Sequence, residues 1–337
     1  MYVTARDTRT LPWILTAFAL LAVLAFPFNT FAQSHPSKAA VSLQAGGIQL
    51  RVECSNPRAP LHSINGALKL VVSPVPTTLL ISGTCHENVL VQGLANVTLQ
   101  GNPAATIDGG SDATFNVVQI ADSLDIALNN LTITGAAGFF CAGMSDCFLT
   151  QVTIQNSLTT GANVNLGAHL SLVDCVIQNS AGAGLNVNVG SASLVGGQIS
   201  NNGSDGVAVG FGGTFSAAPG DVNDATIQNN AGNGIRAALH NTVNLNTAVV
   251  TGNAVDGVTL QLGSAMNVFS STISNNGGHQ IRIGDMSIVR FTGGPTNLIT
   301  GANAPDIACD SQFAGTRQRS NAPGATTNCP AEQPITP

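Results

Sequence analysis

The side chains best equipped for chemistry in this sequence are a small set of acids and amides. Asp174, Asp221 and Asp224 are accompanied by Asn223, Asn244, Asn246 and Asn267. Two carboxylates about 6.5 to 9.5 Å apart leave room for the water that inverting glycosidic hydrolysis requires. Carboxylates and amides together also suit hydrogen bonding to sugar hydroxyls. A second set, Asp205, Asn233, Asp256 and His279, stands immediately before Gly206, Gly234, Gly257 and Gln280. Asp-Gly and Asn-Gly are turn pairs on backbone grounds, while Asp205 and Asp256 are the pair from which a calcium site would be built. Arg236 and Arg282 are cations that an acidic ligand would find, and His240 reads as loop.

These residues are positioned by a repeat. Leu131–Gly135, Val152–Asn156, Cys175–Asn179, Gly197–Asn201, Ala225–Asn229, Ala248–Gly252 and Ser271–Asn275 are variants of one segment, and their third residues are 21, 23, 22, 28, 23 and 23 positions apart. A period near 23 indicates stacked coils. Each marker from Ile154 to Val250 is followed seven residues later by a glycine, then by an alternating run such as Leu185-Asn-Val187-Asn-Val189. A second alternating pair, such as Leu170/Leu172 or Val243/Leu245, precedes the marker. Alternation is the period of a strand with one buried face, so each repeat supplies three short strands. Helical repeats would space their apolar residues by three or four. The backbone is satisfied by a parallel solenoid, each strand bonding to its equivalent one coil away, with about nine or ten coils.

Outward columns are the ones free to act. On the marker strand they read Thr153/Gln155, Val176/Gln178, Gln198/Ser200 and Thr226/Gln228, a neutral hydrogen-bonding face. The coil from Gly206 to Ile227 carries about five extra residues, expected within Gly212–Pro219, before the middle strand. That placement puts Asp221 and Asn223 in the same outward columns as Asn244, Asn246 and Asn267.

The marker followed by Asn156, Asn179, Asn201, Asn229 and Asn275 resembles the asparagine ladder of right-handed parallel β-helices of the pectin-lyase type, interrupted at Gly135 and Gly252. Residues 83–89 resemble that family's first coil, and Ser63 to Leu68 its short capping helix, with Ser63 as N-cap. The resemblance implies an all-β, right-handed parallel β-helix solenoid with three strands per coil. It implies a polysaccharide or cell-surface glycan as partner, with lyase or hydrolase activity centred on Asp221 and Asp224 as the enzymatic alternative to plain binding, and a structural or adhesive surface role as a third possibility. Calcium is the one cofactor it admits. The departures are specific: the family's paired-aspartate motif is missing, and the face holds no arginine or lysine to remove a proton beside a uronate.

Composition narrows the partners further. Only 8% of the 337 residues are charged against 44% apolar, so the chain can bury a core. With a formal net charge of -6 and no Lys or Arg between Lys69 and Arg236, nucleic acid is excluded as a partner. Arg6 and Arg9, the apolar run Trp13–Phe28 and the small residues near Ala32 read as a secretory signal over 1–32. An N-terminal linker and cap follow over 33–74, the β-helix over 75–305, and a C-terminal cap with a Pro-rich tail over 306–337. The mature protein is expected to be a monomer, secreted, periplasmic or at the cell surface, with no membrane span. Export permits disulfides, and Cys54–Cys85 and Cys309–Cys329 are the expected staples of the two ends. Cys141, Cys147 and Cys175 are expected to be buried and unbridged.

Overall fold

The computed structural model describes residues 41–44, 47–293, 297–311, 314–317 and 321–330. The expected signal segment 1–32 and the last seven residues lie outside them. From Gly47 onward the chain winds as a parallel β-solenoid. One coil shows the plan: Leu185–Asn188, Ser191–Val195 and Gln198–Ser200 form three short strands separated by two-residue corners. Each pairs in parallel, residue for residue, with Val207–Gly210, Thr214–Ala218 and Thr226–Gln228 of the next coil. The three stacks are called here the first, second and third sheets. The first contains ten strands, from Val89–Gln92 to Ile307–Cys309, which makes ten turns.

Alternation in the sequence becomes alternation in burial. Leu185, Val187, Ala192, Leu194 and Ile199 point inward and are buried, as are their equivalents in neighbouring coils, so equivalent aliphatic side chains stack into one continuous core. In the N-terminal coils the second and third sheets share long bent strands, Thr77–His86, Ala95–Asp108 and Leu124–Thr134.

The amide ladder is present, one residue later than the sequence suggests. Asn156, Asn179, Asn201, Asn229 and Asn275 are exposed and sit at φ between 54° and 56°, where asparagine tolerates the left-handed turn. The buried column is Ser157, Ser180, Asn202, Asn230, Asn253 and Asn276, ending on Gln280. Asn202 Nδ2 donates to Oδ1 of Asn230, Asn230 to Asn253 and Asn253 to Asn276, each at 2.9 Å, and each Oδ1 also accepts the backbone N–H of the preceding ladder residue. The glycine seven residues after each marker leaves room for this ladder. A Cβ on Gly206 would stand 2.7 Å from both the Asn230 amide nitrogen and the Gly234 carbonyl oxygen.

The ends are closed as expected. Ser63 caps the helix Ile64–Leu68, accepting from Gly66 N–H, and the carboxylate of Glu87 accepts from the N–H groups of Ile64 and Asn65. Cys54 bridges Cys85, and Cys309 bridges Cys329. The parallel stack itself begins inside the expected cap: Gly47–Glu53 pairs with Thr77–Ser82, and Val41–Gln44 adds an antiparallel strand outside it. A third bridge, Cys141–Cys147, corrects the expectation that these thiols stay apart. Cys141 ends the inward face of Phe139–Ala142 and Cys147 begins that of Asp146–Thr150; the tight corner brings their Cα atoms to 6.6 Å, within disulfide reach. Cys175 is the free thiol, buried in the core.

Candidate functional site

The enlarged coil makes the largest departure from regularity, and its extra residues are not where the sequence suggests. Between Val207–Gly210 and Thr214–Ala218 the connection is only three residues long. The insertion is Pro219–Ala225, between the second and third sheets, where the preceding coil has only Gly196 and Gly197. Ser216, not Asp221, pairs with Asn244 in the second sheet. The alternating pattern misleads because Asp221 and Asn223 keep the spacing of a strand while belonging to a loop.

Folding over the corner, this loop converts part of the flat third sheet into a groove of about 400 Å³. Gln198, Thr226 and Gln228 form its floor, with Asp174, Asn223 and Asp224 around it. Asp174 holds the corner of its own coil at φ 50°. Its Oδ1 is buried and has no hydrogen-bond partner. It is wedged beneath the loop: a Cβ on Gly196 would lie 2.5 Å from it and one on Gly220 2.9 Å, so both positions must be glycine for the carboxylate to fit. The two glycines escape a reading based on polar residues; the Gly196-Gly197 pair beside an acidic corner is the signal that would find them.

Of the residues singled out in the sequence, Asp174, Asn223 and Asp224 therefore converge on one volume. Asp221 is exposed on the same loop but does not line the groove. Asn244, Asn246 and Asn267 lie on the second sheet, where Asn267 donates to Asn244 at 2.9 Å and Asn244 to Ser216 Oγ at 3.3 Å. They form a polar ladder of their own.

The column before the glycine slot is an ion-pair column. Asp205 Oδ2 accepts from Arg236 Nε at 2.6 Å, and its Oδ1 accepts from the backbone and side-chain nitrogens of Asn233. Asp256 Oδ2 accepts from Arg282 Nε at 2.7 Å and from Thr259 Oγ1. Its Oδ1 accepts from His279 N–H. The hydrogen bond that Arg282 donates to Asp256 holds its guanidinium above its ordinary range, against the opposing effect of burial. With every carboxylate oxygen already taking a donor, calcium could enter here only by displacing an arginine. Among the described residues the one close group of three potential metal ligands is Cys54, Cys85 and Glu87, whose sulfurs are bridged and whose carboxylate caps the helix. The ion-pair column is therefore not a ready-made calcium cage.

A family model described as a right-handed β-helix region matches residues 137–294. No curated protein sequence matches the chain. Among solved structures, the mannuronan C-5 epimerase AlgE4 A-module of Azotobacter vinelandii is similar at a TM-score of 0.55 and 12% identity, over 75% of this chain and 89% of that one. The AlgE6 A-module of the same organism gives a TM-score of 0.56 and 16% identity, over 73% of this chain and 74% of that one. Pectate lyase Pel9A gives 0.51 and 13%, with 78% of each chain covered. Taken with the residue-for-residue parallel stacking of three sheets, these matches show that the chain adopts a right-handed parallel β-helix fold.

Proposed function

We propose that this protein binds or presents carbohydrate outside the cytoplasm, using the groove between the third sheet and the Pro219–Ala225 loop. The observation that carries this reading is the convergence of Asp174, Gln198, Asn223, Asp224 and Gln228 on one open volume floored by a flat strand face. Amide and carboxylate groups spaced by the coil repeat of about 4.8 Å match the hydroxyl-rich face of an extended glycan. The groove's lining holds acids and no cation, which favours neutral sugars over polyuronates. Three disulfides suit an oxidising compartment outside the cytoplasm. Among the described residues no helix is long and apolar enough to cross a membrane.

Hydrolysis is the second reading, supported by Asp174 and Asp224 lining the same groove, the minimum pair for acid–base cleavage of a glycosidic bond. A lyase is disfavoured because no arginine or lysine lines the groove to act as base. A glycan array, followed by incubation on pectate, alginate and neutral polysaccharides with and without calcium, separates the readings. Retention without turnover supports binding, new reducing ends support a hydrolase, and unsaturated products a lyase. A protein that retains no glycan is a structural or adhesive surface element, and the groove then has no sugar to hold. The double variant Asp174→Ala/Asp224→Ala is expected to lose whichever signal the wild type gives.

A further inference from the structure

All three corners of the coil pass through the left-handed conformation, and the chain fills two of them in opposite ways. Leaving the third sheet, it uses Asn156, Asn179, Asn201, Asn229 and Asn275, with glycine at 135 and 252. Those residue types bear a positive φ at least cost. Leaving the first sheet, it uses Leu166, Val189, Phe211, Leu239 and Leu262, at φ 56°, 51°, 53°, 77° and 51°. Because the preceding strands pair residue for residue, these five are in strict register in five successive coils. Met144 and Met286, each at a positive φ one position later in the same corner, extend the row by a coil at either end.

A left-handed backbone is sterically worst for bulky and β-branched side chains. The core offsets little of that cost at most of these positions, Leu166 being 67% exposed, Phe211 63%, Val189 53% and Leu262 45%, while Leu239 is half-buried. A contact outside the coil would bury the apolar area that stays exposed.

We propose that this row is a homodimer interface, each copy covering the other's row about a two-fold axis close to Phe211. The exposed area of the row is on the order of 800 Å², taking about 200 Å² for a large apolar residue, which matches the roughly 800 Å² per partner of a standard interface. Charge selects the occupant. The chain carries a net charge of -6 and the row holds no Lys or Arg, so nothing draws it to an anionic bilayer. Two like-charged copies can meet along a neutral row.

Shape points to self-association as well. Phe211 is the middle residue of the five, and beside it lies a notch of about 350 Å³ lined by Asn186, Asn188, Ala208, Gly210 and Arg236. The notch exists because Ala208, Gly210 and Ala238 stand in columns that neighbouring coils fill with Asn186, Asn188, Thr259 and Gln261. A knob next to a hole at the centre of the row is the self-complementary arrangement that an isologous contact requires. The groove over the third sheet opens from a different corner and stays accessible in such a dimer.

The test is sedimentation equilibrium of the purified protein up to ~50 µM, with the triple variant Leu166→Asn/Phe211→Asn/Leu262→Asn beside it. Asparagine suits these φ values, so the variant keeps its far-UV spectrum and melts no lower than an isolated wild-type monomer. The wild type is expected at twice the chain mass, and the variant at the chain mass, with dimer affinity reduced at least about 100-fold. A wild type that sediments as a monomer, or a variant that remains dimeric, overturns the proposal. So does a monomeric wild type that co-sediments with neutral phosphatidylcholine vesicles, since the row would then serve a lipid surface.

Discussion

Asn202 Nδ2 donates to Oδ1 of Asn230 at 2.9 Å, one coil and 28 residues away, and the same oxygen accepts the backbone N–H of Asn202 at 3.1 Å. One amide oxygen thus satisfies two buried donors, while the Asn230 amide nitrogen serves the Ile199 carbonyl and Asn253. Asn230→Ala strands those groups in the core and is expected to cost on the order of 3 kcal/mol. Asn229→Ala, at the exposed neighbouring position, removes only a residue tolerant of positive φ and should cost about 1 kcal/mol. Urea unfolding of the two variants measures the difference. Equal losses would mean that the buried ladder is not the one assigned.

The adjacency of Asn229 and Asn230 also shows what the sequence could and could not disclose. Period and alternation were legible because every coil repeats the same burial pattern, so Ile154, Ile177, Ile199 and Ile227 fall in one column whatever the details of the turns. Which of two consecutive amides faces inward depends on a single left-handed residue, and both carry the same side chain. The Pro219–Ala225 loop is hidden in the sequence for a related reason: Asp221 and Asn223 continue an alternation that the backbone does not. Asp174 and Asp224 could be named as candidates, yet only the fold of the loop over Gly196 brings them to one groove. The Cys141–Cys147 bridge depended on how tightly one corner turns, which spacing alone does not give.

Asp205 is almost fully buried under Arg236 and Asn233, and its interactions are with protein donors only. A chelator is therefore expected to leave the melting temperature unchanged. Asp205→Ala should destabilise the fold by about 2 kcal/mol, most of it from the donors left unpaired, since Arg236 is half-exposed and solvent screens its side of the pair. A melting temperature that drops on adding chelator would show that a metal ion contributes to the native state.

Seven cysteines and three bridges leave Cys175. Denaturation without reductant followed by maleimide labelling should add one label, at Cys175, and reduction before labelling should add seven. Native protein should take up none on the timescale of minutes, because the thiol is enclosed by the core. A second labelled site before reduction would mean that one of the assigned bridges does not form.

Burial pushes the Cys175 thiol up to about 11 from an ordinary value of 9.0. The sign follows from proton counts. Between those two values the unfolded chain has released the proton and the native chain still holds it, so stability falls as pH rises. The loss should begin near pH 9 and reach roughly 2 to 3 kcal/mol by pH 11. Cys175→Ala lowers stability at neutral pH through the small cavity it leaves, but its curve should be flatter over this range. Parallel curves for the two proteins would show that the thiol does not titrate differently in the two states.

The Pro219–Ala225 loop can be separated from the fold because the coil before it makes the same corner with two residues, Gly196 and Gly197. Replacing the seven residues with Gly-Gly should preserve the stack, since Thr214–Ala218 and Thr226–Gln228 keep their partners in both neighbouring coils. Shortening a surface connection changes loop entropy only slightly, so unfolding free energy should move by no more than about 1 kcal/mol. Glycan retention should disappear, because Asn223 and Asp224 leave with the loop and Asp174 is uncovered to solvent. If the shortened protein folds and still retains glycan, the sugar binds elsewhere, and the first-sheet notch beside Phe211 and Arg236 becomes the surface to mutate next.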